Sequence, residues 1–159
     1  MIRVLGRKEE KQVLQKVAKL CGEDVTLFGE LLSCDGQIFL GAKDVAKFVD
    51  HFGKQFRIER AGILFCTLGK EMRFSIEGAQ IIAPCFKKKV ALNLGEGDQW
   101  MLGDDLQNRC GEEGFILLHS GEDILGVGVA KGDKILNTVP KERRIKNRQG
   151  YSLPLKNYE

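Results

Sequence analysis

Lys141, Arg143, Arg144, Lys146 and Arg148 fall within one stretch of eight residues. Cations at that density suit the holding of phosphate oxygens, by ammonium point charges and by bidentate guanidinium groups. They belong to a longer segment, 131–159, where eight Lys and Arg stand against three Asp and Glu, a local excess greater than the net +3 of the whole 159-residue chain. Meeting a nucleic-acid backbone, such an excess releases counterions, which makes RNA or DNA binding the first expectation. A solvated basic tail has the same composition, and charge alone leaves the two readings open.

The remaining residue types offer no catalytic constellation. Gly126, Gly128 and Gly132 superficially suggest a dinucleotide loop, but Lys131 stands where the third glycine of GxGxxG belongs, and no strong helical pattern follows. Asp104 and Asp105 fit the cap of a short helix better than a metal site. His51 and His119 have no serine or cysteine partner at a recognised spacing, so structural roles are expected of both. Cys21, Cys34, Cys66, Cys85 and Cys110 are far apart, without a CxxC pair; they read as reduced thiols, and zinc has little support. The expectation is a noncatalytic protein with no metal and no cofactor. No apolar run approaches the roughly 20 residues of a membrane span, and MIRVLGRKEEKQ lacks the apolar stretch of a secretory signal, so a soluble intracellular protein is expected.

Hydrophobic residues make up 43% of the chain, enough for a real core, in one domain or in two small ones packed together. From 8 to 20, Val13, Leu14, Val17, Ala18 and Leu20 recur at helical spacing, and Cys21-Gly22 ends the pattern. A second helix is predicted over 42–52 with Val45, Phe48, Val49 and Phe52 as its apolar stripe. Strands are predicted over 25–32 and 37–40, turning at Asp35-Gly36, and over 62–68 and 72–76, joined around Gly69-Lys70. The character changes near Ala83-Pro84. Downstream, strand-like runs at 89–94, 99–102, 114–119, 124–130 and 134–137 recur between glycines, with one helical turn near 104–107, the pattern of a small β-barrel.

These residues carry a resemblance. KKKVALNLGEGDQWMLGDDL and EGFILLHSGEDILGVGVAKGD resemble the opening strand, turn and short helix, and then the central hairpin, of a PUA domain, the RNA-binding module of pseudouridine synthases and archaeosine transglycosylases. Upstream, GILFCTLGKEMRFSIEGAQIIAP resembles the end of the pre-PUA domain of the Nip-seven family of large-subunit ribosome biogenesis factors, and VAKLCGEDVTLF is similar to that family's first helix and turn. The resemblance implies an α+β protein, with an N-terminal α/β pre-PUA-like domain over 1–83 and a C-terminal PUA-like β-barrel over 84–159. It implies a noncatalytic factor that docks on ribosomal or precursor ribosomal RNA, its N-terminal domain holding ribosome assembly or RNA-processing proteins. The basic C-terminal segment looks archaeal, which favours a cytoplasmic location over the nucleolar one of eukaryotic members.

The RNA face can also be built from the residues. A strand over 143–148 sends Arg144, Lys146 and Arg148 to one side and Arg143, Ile145 and Asn147 to the other, with Ile145 anchored in the barrel. Only Tyr151 and Tyr158 lie beyond, no row for stacking several bases, so phosphate and shape contacts should dominate. Lys87, Lys88 and Lys89 either extend that footprint or guard an edge strand. The acidic residues between 91 and 130 either orient the RNA by repulsion, face a partner or are simply solvated. Arg3, Arg7, Lys8, Lys11, Lys16 and Lys19 read as the solvent face of the first helix rather than a second binding site. The rival readings are a protein-only adaptor, whose basic row would be dispersed in space, and a small-molecule or nucleotide-dependent enzyme, which needs a polar pocket with a perturbed titrating group.

Overall fold

The chain begins with strand β1 (Arg3–Val4) and helix α1 (Arg7–Cys21), in a computed structural model that describes residues 1–146. Val13, Val17 and Cys21, four residues apart, form the buried stripe of α1, as the 3.6-residue period requires. Gly22 ends the helix with a left-handed φ of 80°, its N–H donating to the Ala18 carbonyl, a geometry that glycine adopts without penalty. At the other end Glu9 closes the first turn: its carboxylate accepts from Nη1 and Nη2 of Arg3, at 2.7 and 2.6 Å, and from the Gly6 N–H at 3.2 Å.

The Arg3 hydrogen bonds, helped by that of Gly6, hold the Glu9 carboxyl at about 2, below its ordinary value of 4.5. A carboxyl with a depressed folded-state value stabilises the fold above its ordinary range and loses that contribution as pH falls toward the folded value. Glu9→Gln is therefore expected to unfold at lower denaturant than the wild type at pH 7, with the gap narrowing below pH ~4.5. Urea melts at several pH values measure this; a gap that does not change with pH would remove the ion pair from the account.

After α1, the Asp35-Gly36 turn forms as expected, with both residues at positive φ, 48° and 80°, the primed turn that matches strand twist. It joins β2 (Glu30–Cys34) to β3 (Gln37–Gly41); residues 25–29 are not part of the strand. Helix α2 spans Lys43–Phe52. It buries Ala46 and Val49, while Phe48, expected in the core, is 51% exposed. Strands β4 (Ile63–Leu68) and β5 (Met72–Phe74) complete a five-stranded antiparallel sheet in the order β1-β2-β3-β4-β5.

Helix α3 (Ile76–Ile82) forms where the sequence pattern carries a strand on to residue 76. Ser75 starts it: the hydroxyl accepts the Gly78 N–H at 2.8 Å and donates to the Leu64 carbonyl. Seven residues are too few to show a helical period, so only the cap marks the element. A 3-10 turn, Ala83–Cys85, then leads into the second sheet.

That sheet contains β6 (Lys89–Ala91), β7 (Leu106–Gln107), β8 (Gly114–Ser120), β9 (Asp123–Lys131) and β10 (Lys134–Leu136), ordered β6-β8-β9-β10-β7 and curled into a half-barrel. Its helix is α4 (Leu94–Leu102), which corrects the strand predicted over 99–102; the predicted turn at 104–107 is instead extended chain entering β7. The Asn93 side chain accepts the Glu96 N–H, the Glu96 carboxylate accepts the Asn93 N–H, and Gly103 at φ 98° closes the far end. Between those caps, the apolar Trp100-Met101-Leu102 run is the last turn of a helix.

The two sheets share one core. Val17, Cys21, Phe65, Phe74, Ala79 and Ile82 from the first half pack in the same buried cluster as Leu117 and Val127 from the second, with α3 lying against β9. Burial pushes the Cys66 thiol up to about 12; Cys21 reaches about 12 by burial and the neighbouring Cys85. A second cluster fills the half-barrel around the fully buried Trp100, whose Nε1 donates to the Leu125 carbonyl at 2.9 Å. Among the described residues no helix is long and apolar enough to cross a membrane, and no group of His, Cys, Asp and Glu could hold a metal ion.

Candidate nucleic-acid interface

The last carbonyls of a helix have no partner within it and must find donors elsewhere. At the end of α4 those donors come from the segment that carries the basic residues. Asn137 donates through Nδ2 to the Trp100 carbonyl at 2.7 Å and to that of Asp104 at 3.0 Å, while its own N–H reaches Asp105 Oδ1 at 2.8 Å. The Thr138 hydroxyl donates to the Val127 carbonyl, Val139 is buried in the half-barrel, and the Ile145 N–H donates to the Met101 carbonyl at 2.9 Å. Residues 137–145 are thus a strap fastened across the C-terminal end of α4. The Asp104-Asp105 pair holds this strap, and the Asp104 N–H closes the end of α4 by donating to the Gln99 carbonyl at 3.0 Å; the element that follows the pair is β7 and not the helix expected there.

Fastening decides where the cations go. Lys141–Arg143 form a 3-10 turn, so the strand predicted over 143–148 is not formed at its start. Ile145 is 47% exposed, and its anchor is its backbone N–H, not its side chain. Arg144 is half-buried. Its Nε donates to the Val139 carbonyl at 3.0 Å, and its side chain covers Gly103 so closely that a Cβ there would lie 2.5 Å from Arg144 Cδ. A guanidinium at this place also meets the negative end of the α4 dipole. Arg143 donates to the Glu77 carboxylate on α3, an ion pair between the two halves; half-exposed pairs of this kind contribute ~1 kcal/mol or less. It lines a cleft of about 420 Å³ together with Arg60, Ile63, Glu77, Pro140 and Glu142. Lys141 and Lys146 point to solvent and have no ion pair among the described residues. Arg148, with Tyr151 and Tyr158, lies outside the described residues. The four of the five expected residues that are described divide by role: Arg143 and Arg144 engage protein groups, and Lys141 and Lys146 are presented outward.

The neighbouring charges sort in the same way. Lys87, Lys88 and Lys89 are all exposed; of the three, Lys88 pairs with Glu112 at 3.1 Å and donates to the Glu113 carbonyl. Of the acidic residues between 91 and 130, Glu96 caps α4 and pairs with Arg109 at 3.2 Å, Glu113 accepts the Gly132 N–H, and Asp105 holds Asn137. These carboxylates are turn and strap fastenings before they are a repelling surface. Gly126 and Gly128 lie within β9, not in a phosphate loop: a Cβ on Gly128 would stand 2.6 Å from Ile135 Cγ2 and 3.1 Å from the Trp100 ring. His119 Nδ1 bonds the Gly121 carbonyl at 2.9 Å, and His51 sets its ring edge-on to Phe52.

Sequence reasoning missed Asn137 and Gly103, the two residues that make the strap possible; the signal present was a glycine after a run of apolar residues, the mark of a helix C-terminus. It also missed the chain of Phe48, Phe52 and Phe56, with ring centroids 4.9 and 6.0 Å apart, because an aromatic at helical spacing reads as core.

Residues 87–145 match the family model described as the Methyltransferase RsmF PUA domain. This half of the protein contains a PUA domain. The match begins at Lys87, just before β6, and ends at Ile145, whose N–H is tied to α4. Lys141, Arg143 and Arg144 belong to the PUA domain, and a PUA domain implies RNA binding. No curated protein matches the chain.

Proposed function

We propose that the protein is a noncatalytic RNA-binding factor of large-subunit ribosome biogenesis or ribosomal RNA processing, as the resemblance to the Nip-seven family implies. The observation that supports it is the PUA domain over 87–145, whose strap places Lys141 and Lys146 outward from a fastened backbone. A backbone held by four hydrogen bonds from Asn137 and Ile145 loses little freedom when RNA is bound, so the phosphate contacts are not offset by ordering. Arg144 positions the strap in this reading, and Arg143 fixes it to α3. The N-terminal half receives assembly or processing proteins, and the exposed Phe48 and Phe56, linked through the half-buried Phe52, are the surface suited to that role. A cytoplasmic, archaeal-like setting accompanies the reading.

A second reading, the protein-only adaptor, draws support from the engagement of Arg143 and Arg144 with protein groups. RNA binding across a salt series separates the two. Lys141→Ala/Lys146→Ala is expected to bind ribosomal RNA fragments more weakly and to flatten the slope of log affinity against log salt by about 1.5 units, two contacts at ~0.7 to 0.9 each. Wild-type protein that binds neither single-stranded nor structured RNA would leave the adaptor.

A further inference from the structure

Two lysines of α1, Lys16 and Lys19, meet the β4–β5 turn across a groove of about 260 Å³. The turn contributes Gly69, Lys70 and Glu71, and the floor is Leu20, Leu68, Met72 and Phe115, the last from β8 of the PUA domain. Taken on α1 alone, Lys16 and Lys19 are an ordinary solvated helix face; with Lys70 they become one side of a cleft with an aromatic ring at its base. None of the three ammonium groups has an ion pair among the described residues, and Glu71 is the one acid in the lining. Lys87, the first residue of the PUA match, lies with its side-chain carbons over Gly22 at the end of the same helix.

We propose that this groove is a second RNA contact, holding one nucleotide of a single strand with its base on Phe115 and its phosphates between Lys16, Lys19 and Lys70. The inference rests on the reading of the protein as RNA-binding but not on the strap. Its chemistry is that of single-strand sites, cations that follow the backbone and an aromatic face that accepts any base. The volume lies just below the ~300 Å³ at which small-molecule pockets begin, so a whole metabolite is not enclosed, while a single base is accommodated. Three unpaired cations against one carboxylate select a polyanion, and the half-buried ring favours one that carries flat bases over an acidic peptide.

The test uses the full chain and a single-stranded oligonucleotide of mixed sequence, measured across a salt series. Lys16→Gln/Lys19→Gln/Lys70→Gln is expected to flatten the salt slope by about 2 units, three contacts at ~0.7 each. Phe115→Leu keeps the floor apolar and is expected to lower affinity by roughly fivefold to a hundredfold with the slope unchanged, the mark of a lost stack. Circular dichroism melts confirm that both variants fold. Unaltered binding by both, with loss in Lys141→Ala/Lys146→Ala, overturns the groove and spares the strap. Absence of RNA binding by the wild type overturns both, as does tighter binding of polyglutamate than of RNA at the groove.

Discussion

Gly78→Val is expected to abolish the cooperative unfolding transition, a loss of at least about 3 kcal/mol. Gly78 sits in the first turn of α3, directly over β4, where any Cβ would overlap the Phe65 carbonyl oxygen. That oxygen belongs to the backbone and is held in place: it accepts the Ser75 N–H at 3.1 Å, and Phe65 itself is fully buried. Neither strand nor helix can retreat without opening the core shared by the two sheets. The contrast is Gly95, in the first turn of α4, where a Cβ would meet nothing closer than Asn93 Oδ1 at 3.4 Å. There alanine relieves the entropic penalty of glycine in a helix, and Gly95→Ala is expected to stabilise by ~0.5 to 1 kcal/mol. Urea denaturation of the two variants beside the wild type decides it; a Gly78→Val midpoint within experimental error of the wild type would show that α3 does not press on β4.

Trp100→Ala is expected to cost about 3 to 5 kcal/mol, the range for deleting a large aromatic from a closed core. The side chain is fully buried among Leu92, Leu106, Ile116, Leu118, Ala130, Ile135 and Val139. Gly126 and Gly128 leave the space into which its ring extends, so no larger neighbour stands ready to collapse into the hole. Trp100→Phe should cost less, chiefly the Leu125 carbonyl left without its donor, ~1 to 3 kcal/mol. The same residue carries one of the carbonyls that hold Asn137, so loosening it loosens the strap. Trp100→Phe is accordingly expected to weaken RNA binding more at 37 °C than at 10 °C. Denaturant melts followed by circular dichroism, with binding at the two temperatures, check both parts; equal affinities would uncouple the core from the strap.

The elements that the sequence made plain are those whose period is long or whose turn residues are specific. Val13, Val17 and Cys21 span two full turns of α1, and Asp35-Gly36 permits few turns other than the one formed. Helices α3 and α4 are short, and in each the decisive information is a cap rather than a stripe: Ser75 for one, Asn93, Glu96 and Gly103 for the other. Trp100-Met101-Leu102 satisfies a strand pattern as well as the last turn of a helix, and only Gly103 distinguishes them. The PUA resemblance survived these errors because it rests on the β8–β9 hairpin, which is where the sequence expected it. The basic residues were legible as a cluster but not as individual roles. Whether Arg144 meets solvent or lies on Gly103 depends on a glycine 41 positions earlier in the chain, and the partner of Arg143 is 66 positions away. Pairings at that separation leave no local pattern. Lys16 and Lys19 show the reverse case, a face that looks ordinary until the β4–β5 turn is brought beside it.

The buried cluster that runs from Val17 and Cys21 through Ile82 to Leu117 and Val127 makes the molecule a bracket rather than two beads on a string. Whatever docks on one arm is held at a set bearing from whatever docks on the other. RNA seated along the strap would find the α1 groove at one constant distance, so strands of the wrong length or curvature would engage one contact and miss the other. Selectivity of that kind needs no reading of bases; it is measured along the backbone, as a caliper measures width.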